Sequence, residues 1–337
     1  MPRCGSQVPI CDVPIRFDTY KGCSHGCKYC FVFRKVDIKN IKLDETPSAL
    51  LSFIKGKRNQ ETNWCNWDIP IHWGGMSDPF QPCEKIHRNS YKCLKVLAET
   101  KYPFIVSTKG KLIAEPEYLE LLKQCNAVVQ ISLVSPLYDK IELGAPTYEE
   151  RIEIIEKVAK VAKRVIVRIQ PYMREAKKDI LDNLKRYKKI GVYGITLEGM
   201  KFAKKVKGME KVGADYVYPI ELLRKDFEEI KLKAHSLGLR VFIGENRLRN
   251  MGDNLCCCGI ENLEGFTGNT YNLNHLLYDK ENIKITESME EKGTARVFTT
   301  LYQNTVASNY MKDKSFKEVM EVISKDKKYT EILGKWY

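Results

Sequence analysis

The residues of this chain most suited to chemistry are three cysteines. The segment Tyr20-Lys-Gly-Cys23-Ser-His-Gly-Cys27-Lys-Tyr-Cys30-Phe is a C-x3-C-x2-C triplet. Thiolates this close can share one metal centre, and Gly22 and Gly26 allow the backbone turns that converge three sulfurs. A structural zinc site takes four protein ligands, and so does an iron–sulfur cubane. Three cysteines leave one position to fill. His25 or a distant residue could close it as a zinc loop. Left open, it is a catalytic arrangement that can take a substrate or cofactor.

Other polar groups stand at the ends of apolar runs. His72-Trp-Gly74-Gly75-Met-Ser77-Asp78-Pro-Phe-Gln-Pro follows one run, and Asp78-Pro79 is a turn initiator. Lys109, in Val106-Ser-Thr-Lys109-Gly, ends another. It is either a solvated loop lysine or a contact for an anion. Arg168 lies inside the apolar stretch Val165–Gln170. Arginine is seldom buried without a partner, so a ligand carboxylate or a core ion pair is expected there. Near the C-terminus, Cys256-Cys257-Cys258-Gly259 forms a run in which neighbours on extended backbone point to opposite faces. Cys256 and Cys258 could then join an auxiliary metal site with Cys4, Cys11 or His275. They could also deliver a hydrogen atom, or be packed thiols without a ligand.

Short apolar segments alternate with helix-like ones. Strands are predicted at Ile15–Tyr20, Ile69–Gly74, Phe104–Thr108, Ala127–Val134, Val165–Gln170, Gly194–Leu197 and Leu239–Ile243, rich in β-branched residues as doubly buried strands are. Helices are predicted at Pro47–Lys57, Glu84–Thr100, Pro116–Gln124, Thr147–Lys163, Asp179–Ile190, Arg224–Leu237 and Ser315–Lys325. Ile86, Leu94 and Leu97 share helical spacing in the second. Thr147 and Glu150 form a capping box in the fourth, and Gly191 and Gly238 are C-terminal stops. Repeated strand–helix units make a parallel sheet covered by helices: an α/β fold, here a partial (β/α) barrel, with its chemistry at the C-terminal ends of the strands. The alternation fades after Arg249. Residues 1–250 are therefore read as the barrel and 251–337 as a cysteine-containing extension. The cysteine run, soon after the last strand, is expected at the barrel mouth.

The chain has 337 residues, with 43% hydrophobic and 29% charged, as in a globular protein. No apolar run is long enough to cross a bilayer, and Met1–Asp12 has no apolar core of signal-peptide length, so the expected location is the cytoplasm. There the twelve cysteines stay thiols, which favours metal binding over disulfides. Cys93 and Cys125, in helix-like stretches, are read as core residues. A formal net charge of +13 favours an anionic partner such as nucleic acid, although a Lys-rich composition alone also gives a basic surface.

With Tyr29 before Cys30, the triplet resembles that of the radical S-adenosylmethionine (SAM) superfamily. The resemblance implies a [4Fe–4S] cluster on Cys23, Cys27 and Cys30. SAM would chelate its open iron and be cleaved to a 5′-deoxyadenosyl radical that takes hydrogen from a substrate. A one-electron donor such as flavodoxin or ferredoxin is implied with it. The string Ser77-Asp78-Pro-Phe-Gln-Pro is similar to the branch holding spore photoproduct lyase and DNA repair photolyase-like proteins. That branch implies SAM contacts at Ser77, Lys109 and Ser132. Gly74 and Gly75 resemble the family's Gly-Gly-acidic element, but Met76 replaces the acid and leaves Ser77 and Asp78 as the nearby polar groups. Tyr29 and Arg168 complete the expected SAM pocket. Gly75 also stands where the lyase has its hydrogen-donating cysteine, so that enzyme's relay does not carry over.

The resulting expectation is a radical SAM enzyme, a lyase or a modifying enzyme, acting on nucleic acid or nucleotide. A peptide or protein substrate is the alternative. The rival outside enzymology is a zinc-binding nucleic-acid module, which some two hundred residues of strand–helix units argue against.

Overall fold

The computed structural model describes residues 1–5, 7–34, 37–213, 215–296 and 313–326, the side chains of 33 and 34 excepted. Eight strands form its main sheet: β1 (Arg3–Cys4), β2 (Ile15–Phe17), β3 (Ile71–Trp73), β4 (Phe104–Thr108), β5 (Ala127–Ser132), β6 (Arg164–Tyr172), β7 (Gly194–Gly199) and β8 (Arg240–Ile243). They lie side by side in chain order. β1 pairs antiparallel with β2, and each later neighbour is parallel. Parallel neighbours need crossovers, and helices supply them: Pro47–Ile54, Asn89–Thr100, Pro116–Leu122, Tyr148–Val158, Lys177–Lys189 and Ile220–Ser236. The edge strands β1 and β8 do not pair with each other, so the barrel is partial.

Alternation along each strand divides the barrel wall into two surfaces. Phe17, Trp73, Phe104, Val129, Val167, Leu197 and Ile243 are buried in the large core with the helices. The other face carries Arg16, His72, Ser107, Gln130, Arg168, Thr196 and Glu198. It is apolar only near the N-terminal ends of the strands. There Val13, Ile105, Val128, Ile166 and Phe242 form a second core with Cys256, Cys258 and Ile260.

The tail therefore plugs the end of the barrel opposite the expected mouth. Asp253 N–H donates to Val241 O at 2.8 Å, and Val241 N–H donates to the Asp253 carboxylate at 2.8 Å, so the chain folds back along β8. Arg164 then donates to Gly259 O at 2.9 Å and Glu261 O at 2.7 Å, and Thr196 Oγ1 donates to Cys257 O at 3.0 Å. Farther on, Phe316 stacks on Trp64 with ring centroids 4.5 Å apart, and His275 Nε2 lies 3.0 Å from Asp12 Oδ2.

The expected elements recur with local corrections. The predicted helix Glu84–Thr100 is two, Glu84–His87 and Asn89–Thr100, parted by Arg88 in the left-handed region (φ 54°). The Arg88 guanidinium lies 4.0 Å from the Tyr91 ring centroid and pairs with Glu117, a partner outside the local pattern. Ile86 in consequence is 81% exposed. β2 stops at Phe17, and Tyr20–Lys21 instead pairs with Lys42–Leu43. β6 runs on through Pro171, with a register irregularity between Ile169 and Tyr172. Cys93 and Cys125 are buried, and the Thr147–Glu150 capping box is formed.

Phe242 is 0% exposed at the centre of the plug. Phe242→Ala should cost about 3–5 kcal/mol through lost burial and a residual cavity. A matching fall in the urea unfolding midpoint, with unchanged slope, checks it.

Candidate active site

The cysteine loop leaves the C-terminal end of β2. At Gly22 (φ +88°) a Cβ would lie 2.9 Å from Asn40 O, and Cys23 N–H donates to Ile38 O at 2.8 Å. The loop is tied on two further sides. Ser24 N–H donates to Gln81 Oε1 at 2.9 Å, while Lys28 N–H donates to Ile141 O and Gly144 N–H to His25 O, each at 2.9 Å. Cys23, Cys27 and Cys30 are all half-buried free thiols. Burial pushes Cys23 up to about 12, with the His25 and Asp78 backbone N–H groups acting in the opposite direction. Among the described residues, no three His, Cys, Asp or Glu side chains are gathered as a metal site, the motif cysteines included. Three soft thiols on one anchored loop have the ligand chemistry that an iron–sulfur cluster takes.

Asp78 is the brace of this loop. Its Oδ1 accepts from Phe80 N–H at 2.9 Å and Thr108 Oγ1 at 2.7 Å, and its Oδ2 accepts from Lys109 N–H at 2.6 Å. His25 Nε2 lies 3.1 Å from Oδ2, while His25 Nδ1 donates to Gly144 O at 2.9 Å. Burial alone would raise the Asp78 carboxyl; the His25 charge and these donors hold it down at about 2. Asp78 thus ties the loops after β2, β3 and β4 together, and His25 links them to Gly144 in the loop after β5. Ser77 is similarly engaged: its hydroxyl donates to Tyr20 O at 2.5 Å.

The Gly74-Gly75 turn is closely packed. Gly74 has φ +86°, and a Cβ there would fall 2.3 Å from Ser107 O. Beneath the turn, the buried Asp18 carboxylate accepts from Met76 N–H at 2.9 Å and Ser77 N–H at 3.2 Å, with Arg16 Nε at 3.3 Å. Burial pushes Asp18 up to about 7 against these partners.

Beside the cysteines, the Tyr29 hydroxyl donates to Glu142. Lys109 Nζ lies 3.8 Å from the same carboxylate and 5.7 Å from the Tyr29 ring centroid. Arg151 Nη2 approaches Glu142 at 2.5 Å, and its Nη1 donates to Ser132 O at 2.9 Å. Tyr29, Lys109 and Ser132 are therefore brought into one cluster by Glu142 and Arg151. Neither was foreseen. Glu142 lies in a loop without a pattern, and Arg151 reads as an ordinary polar residue of an amphipathic helix.

A polar chain crosses the concave face. His72 Nε2 lies 2.8 Å from Ser107 Oγ, Arg168 Nη1 donates to that oxygen at 2.7 Å, and Ser107 Oγ donates to Gln130 Oε1 at 3.0 Å. Arg168 also donates to Gln170, Gln170 to Glu198, and Lys201 Nζ to Glu198 at 2.8 Å. The core ion pair offered for Arg168 is not formed among the described residues: its contacts there are the neutral oxygens of Gln170 and Ser107. Burial, then the Arg168 charge, lowers His72 to about 3. Cys256 and Cys258 do not join this polar chain: they are buried in the plug at the apolar end of the same face.

The partial (β/α) barrel matches in fold the barrels of radical SAM enzymes. Among solved structures, spore photoproduct lyase complexed with dinucleoside spore photoproduct matches with TM-score 0.55 and 14% identity, over 68% of this chain and 77% of the lyase. Streptococcus suis SuiB bound to S-adenosylmethionine matches with TM-score 0.50 and 13% identity, over 96% of this chain and 68% of SuiB. SuiB bound to its precursor peptide SuiA gives TM-score 0.52 and 12% identity, over 96% and 67%. An uncharacterized protein of Mycobacterium tuberculosis is 22% identical over 210 residues, 58% of this chain. The chain spans 62% of that relative's length. No protein-family model matches. No helix among the described residues is long and apolar enough to cross a membrane.

His72 and Asp18 predict opposite pH effects. As pH falls from about 6.5 to about 3, unfolded His72 takes up a proton that the folded state excludes, so stability is lost toward acid. As pH rises from about 4 to about 7, unfolded Asp18 releases a proton that the folded state keeps, so stability is lost toward neutrality. His72→Gln should flatten the first decline and Asp18→Asn the second, read from urea midpoints across pH.

Proposed function

We propose that this chain is a radical SAM enzyme with Cys23, Cys27 and Cys30 as the protein ligands of its [4Fe–4S] cluster. The supporting observation is the anchored three-thiol loop at the C-terminal end of the first parallel strand, in a barrel like those of spore photoproduct lyase and SuiB. Bound there, the cluster and SAM supply a 5′-deoxyadenosyl radical able to remove hydrogen from a substrate. The protein's part is to orient and shield. Tyr29, Gly74, Gly75, Ser77, Lys109, Ser132 and Arg168 line the proposed SAM pocket, with Asp78 holding its loops. Lys109 offers an ammonium, and Arg168 a guanidinium with neutral partners, to the SAM carboxylate. Met76 leaves the Gly-Gly turn without a side-chain acid. The same reading keeps residues 1–250 as the barrel and 251–337 as the extension.

Nucleic acid is the favoured substrate. The net charge of +13 supports it, as does the likeness to a lyase complexed with a dinucleoside photoproduct. A peptide substrate is the second reading, favoured by the SuiB–SuiA likeness that extends over 96% of this chain. Twelve free cysteines support a reducing, cytoplasmic setting, where a flavodoxin or ferredoxin would deliver the electron. A zinc module would have no use for eight strands of barrel.

Reconstituted anaerobically and reduced, the protein should convert SAM to 5′-deoxyadenosine, and Cys30→Ala should abolish that product. Product formation unchanged in the variant would overturn the cluster assignment. Lys109→Ala should weaken SAM binding about ten-fold by loss of a charge-assisted hydrogen bond. Titration of the cluster's EPR signal with SAM measures it, and unaltered affinity would return Lys109 to its Glu142 pair alone.

A further inference from the structure

The connection from β7 to the helix Ile220–Ser236 contains a small sheet that the sequence pattern did not announce. Its strands are Lys201–Phe202, Asp215–Val217 and Glu210–Val212, in that spatial order and all antiparallel. It is fixed to the C-terminal end of the barrel. Lys201 Nζ donates to Glu198 at 2.8 Å, Arg247 Nη1 to Glu210 at 2.9 Å, and the Tyr218 hydroxyl accepts from Arg174 N–H at 3.4 Å. The cysteine loop follows β2 and this ribbon follows β7, near the two edges of one arc of strands. Both follow strands of that sheet at their C-terminal ends.

Two features of the ribbon point to one kind of partner. The first is charge. Lys204, Lys205, Lys207 and Lys211 are exposed, and none of the four enters an ion pair among the described residues, whereas Lys201 and Glu210 do. The intervening turn contains Gly208, which has φ +80° and nothing within 4 Å of a Cβ position. The second is register. Phe202 and Lys211 are both direct cross-strand partners of Tyr216, so the three stand in one row. Cross-strand partners share a face, which puts the partly exposed Tyr216 ring beside the Lys211 ammonium, with Phe202 on its other side packed edge-on against Tyr218 and the core. An acidic protein would be served by the lysines alone. An aromatic ring beside cations suits unpaired bases on a phosphate backbone, because every base has a face to stack.

We propose that the ribbon 201–217 is a binding surface for single-stranded or locally unpaired nucleic acid. Its lysines contact phosphates, and Tyr216, beside Phe202, takes a base by stacking. The proposal rests on the nucleic-acid reading above and names the surface that would present the strand to the cysteine loop.

The test uses the full chain with its cluster reconstituted, and fluorescent single-stranded DNA and RNA probes of about 20 nucleotides. Affinity is measured between about 50 and 200 mM salt. The triple variant Lys204→Glu/Lys205→Glu/Lys207→Glu should bind at least about ten-fold more weakly at low salt. Its log–log salt slope should be shallower by about 2, as expected for three lost phosphate contacts on a single strand. Tyr216→Ala should lose about ten-fold at every salt concentration with the slope unchanged, and Tyr216→Trp should restore binding. Substrate-free 5′-deoxyadenosine formation should be the same in all variants, separating a binding defect from a damaged fold. Wild-type protein that makes 5′-deoxyadenosine but binds neither probe overturns the ribbon proposal alone. Wild-type protein that binds the probes through these residues but never makes 5′-deoxyadenosine overturns the enzyme reading and leaves the ribbon standing. Variants that bind as wild type does, or a polyglutamate peptide bound as tightly as the probes and indifferent to Tyr216→Ala, would also overturn the ribbon proposal.

Discussion

One buried carboxylate organises the working end of this protein. Asp78 accepts from Phe80, Thr108 and Lys109 and is paired with His25, so the loops after three consecutive parallel strands meet on two oxygen atoms, and His25 links them to Gly144 in a fourth. A buried anion is tolerable only when its lone pairs are filled and a counter-charge is near. That requirement works as a geometric specification. The cysteine loop must present His25, the β4 loop must present the Lys109 amide, and His25 must in turn find Gly144. Lys109 and Cys23 are placed by the same few bonds, and so is the separation between the cysteine loop and the Tyr29–Glu142 cluster.

The barrel interior follows a second constraint, the division of one surface between water and oil. Near the N-terminal ends of the strands it is closed by Phe242, Ile166 and the returning tail. Above that plug come Ser107, Gln130, Arg168, Gln170 and Glu198, each meeting a neighbour's donor or acceptor. The apolar floor keeps solvent from entering below. The polar wall offers hydrogen-bonding groups already fixed in place, so their orientation costs little when a ligand arrives.

Much of this was legible in the sequence because it is written in local patterns. The parallel strands are short β-branched runs, and Phe104–Thr108 appears with the boundaries expected of it. The Thr147 cap and the stops at Gly191 and Gly238 are equally local, as is the cysteine spacing itself. What was hidden depends on partners far along the chain. Arg88 breaks a helix to reach Glu117, and Glu142 gains meaning only beside Tyr29 and Arg151. The cysteine run was expected at the mouth because the distance from the last strand allowed it. A backbone that reverses along β8 through Asp253 carries it to the floor instead, and sequence spacing has no sign to distinguish the two. The ribbon 201–217 was missed because strands of two or three residues leave too few positions for a period to show.

The way the tail covers the N-terminal segment bears on how the molecule is made. The His275–Asp12 contact joins residues 263 apart, and Phe316 must arrive before Trp64 is covered. A ribosome releases the first strands long before their cover, so the N-terminal segment waits, partly uncovered, for most of translation. Loops this long close slowly, and the cysteine loop emerges early on the same unfinished piece. The nascent chain thus presents its three thiols to the cell, and to whatever loads or oxidises them, before its own barrel is sealed.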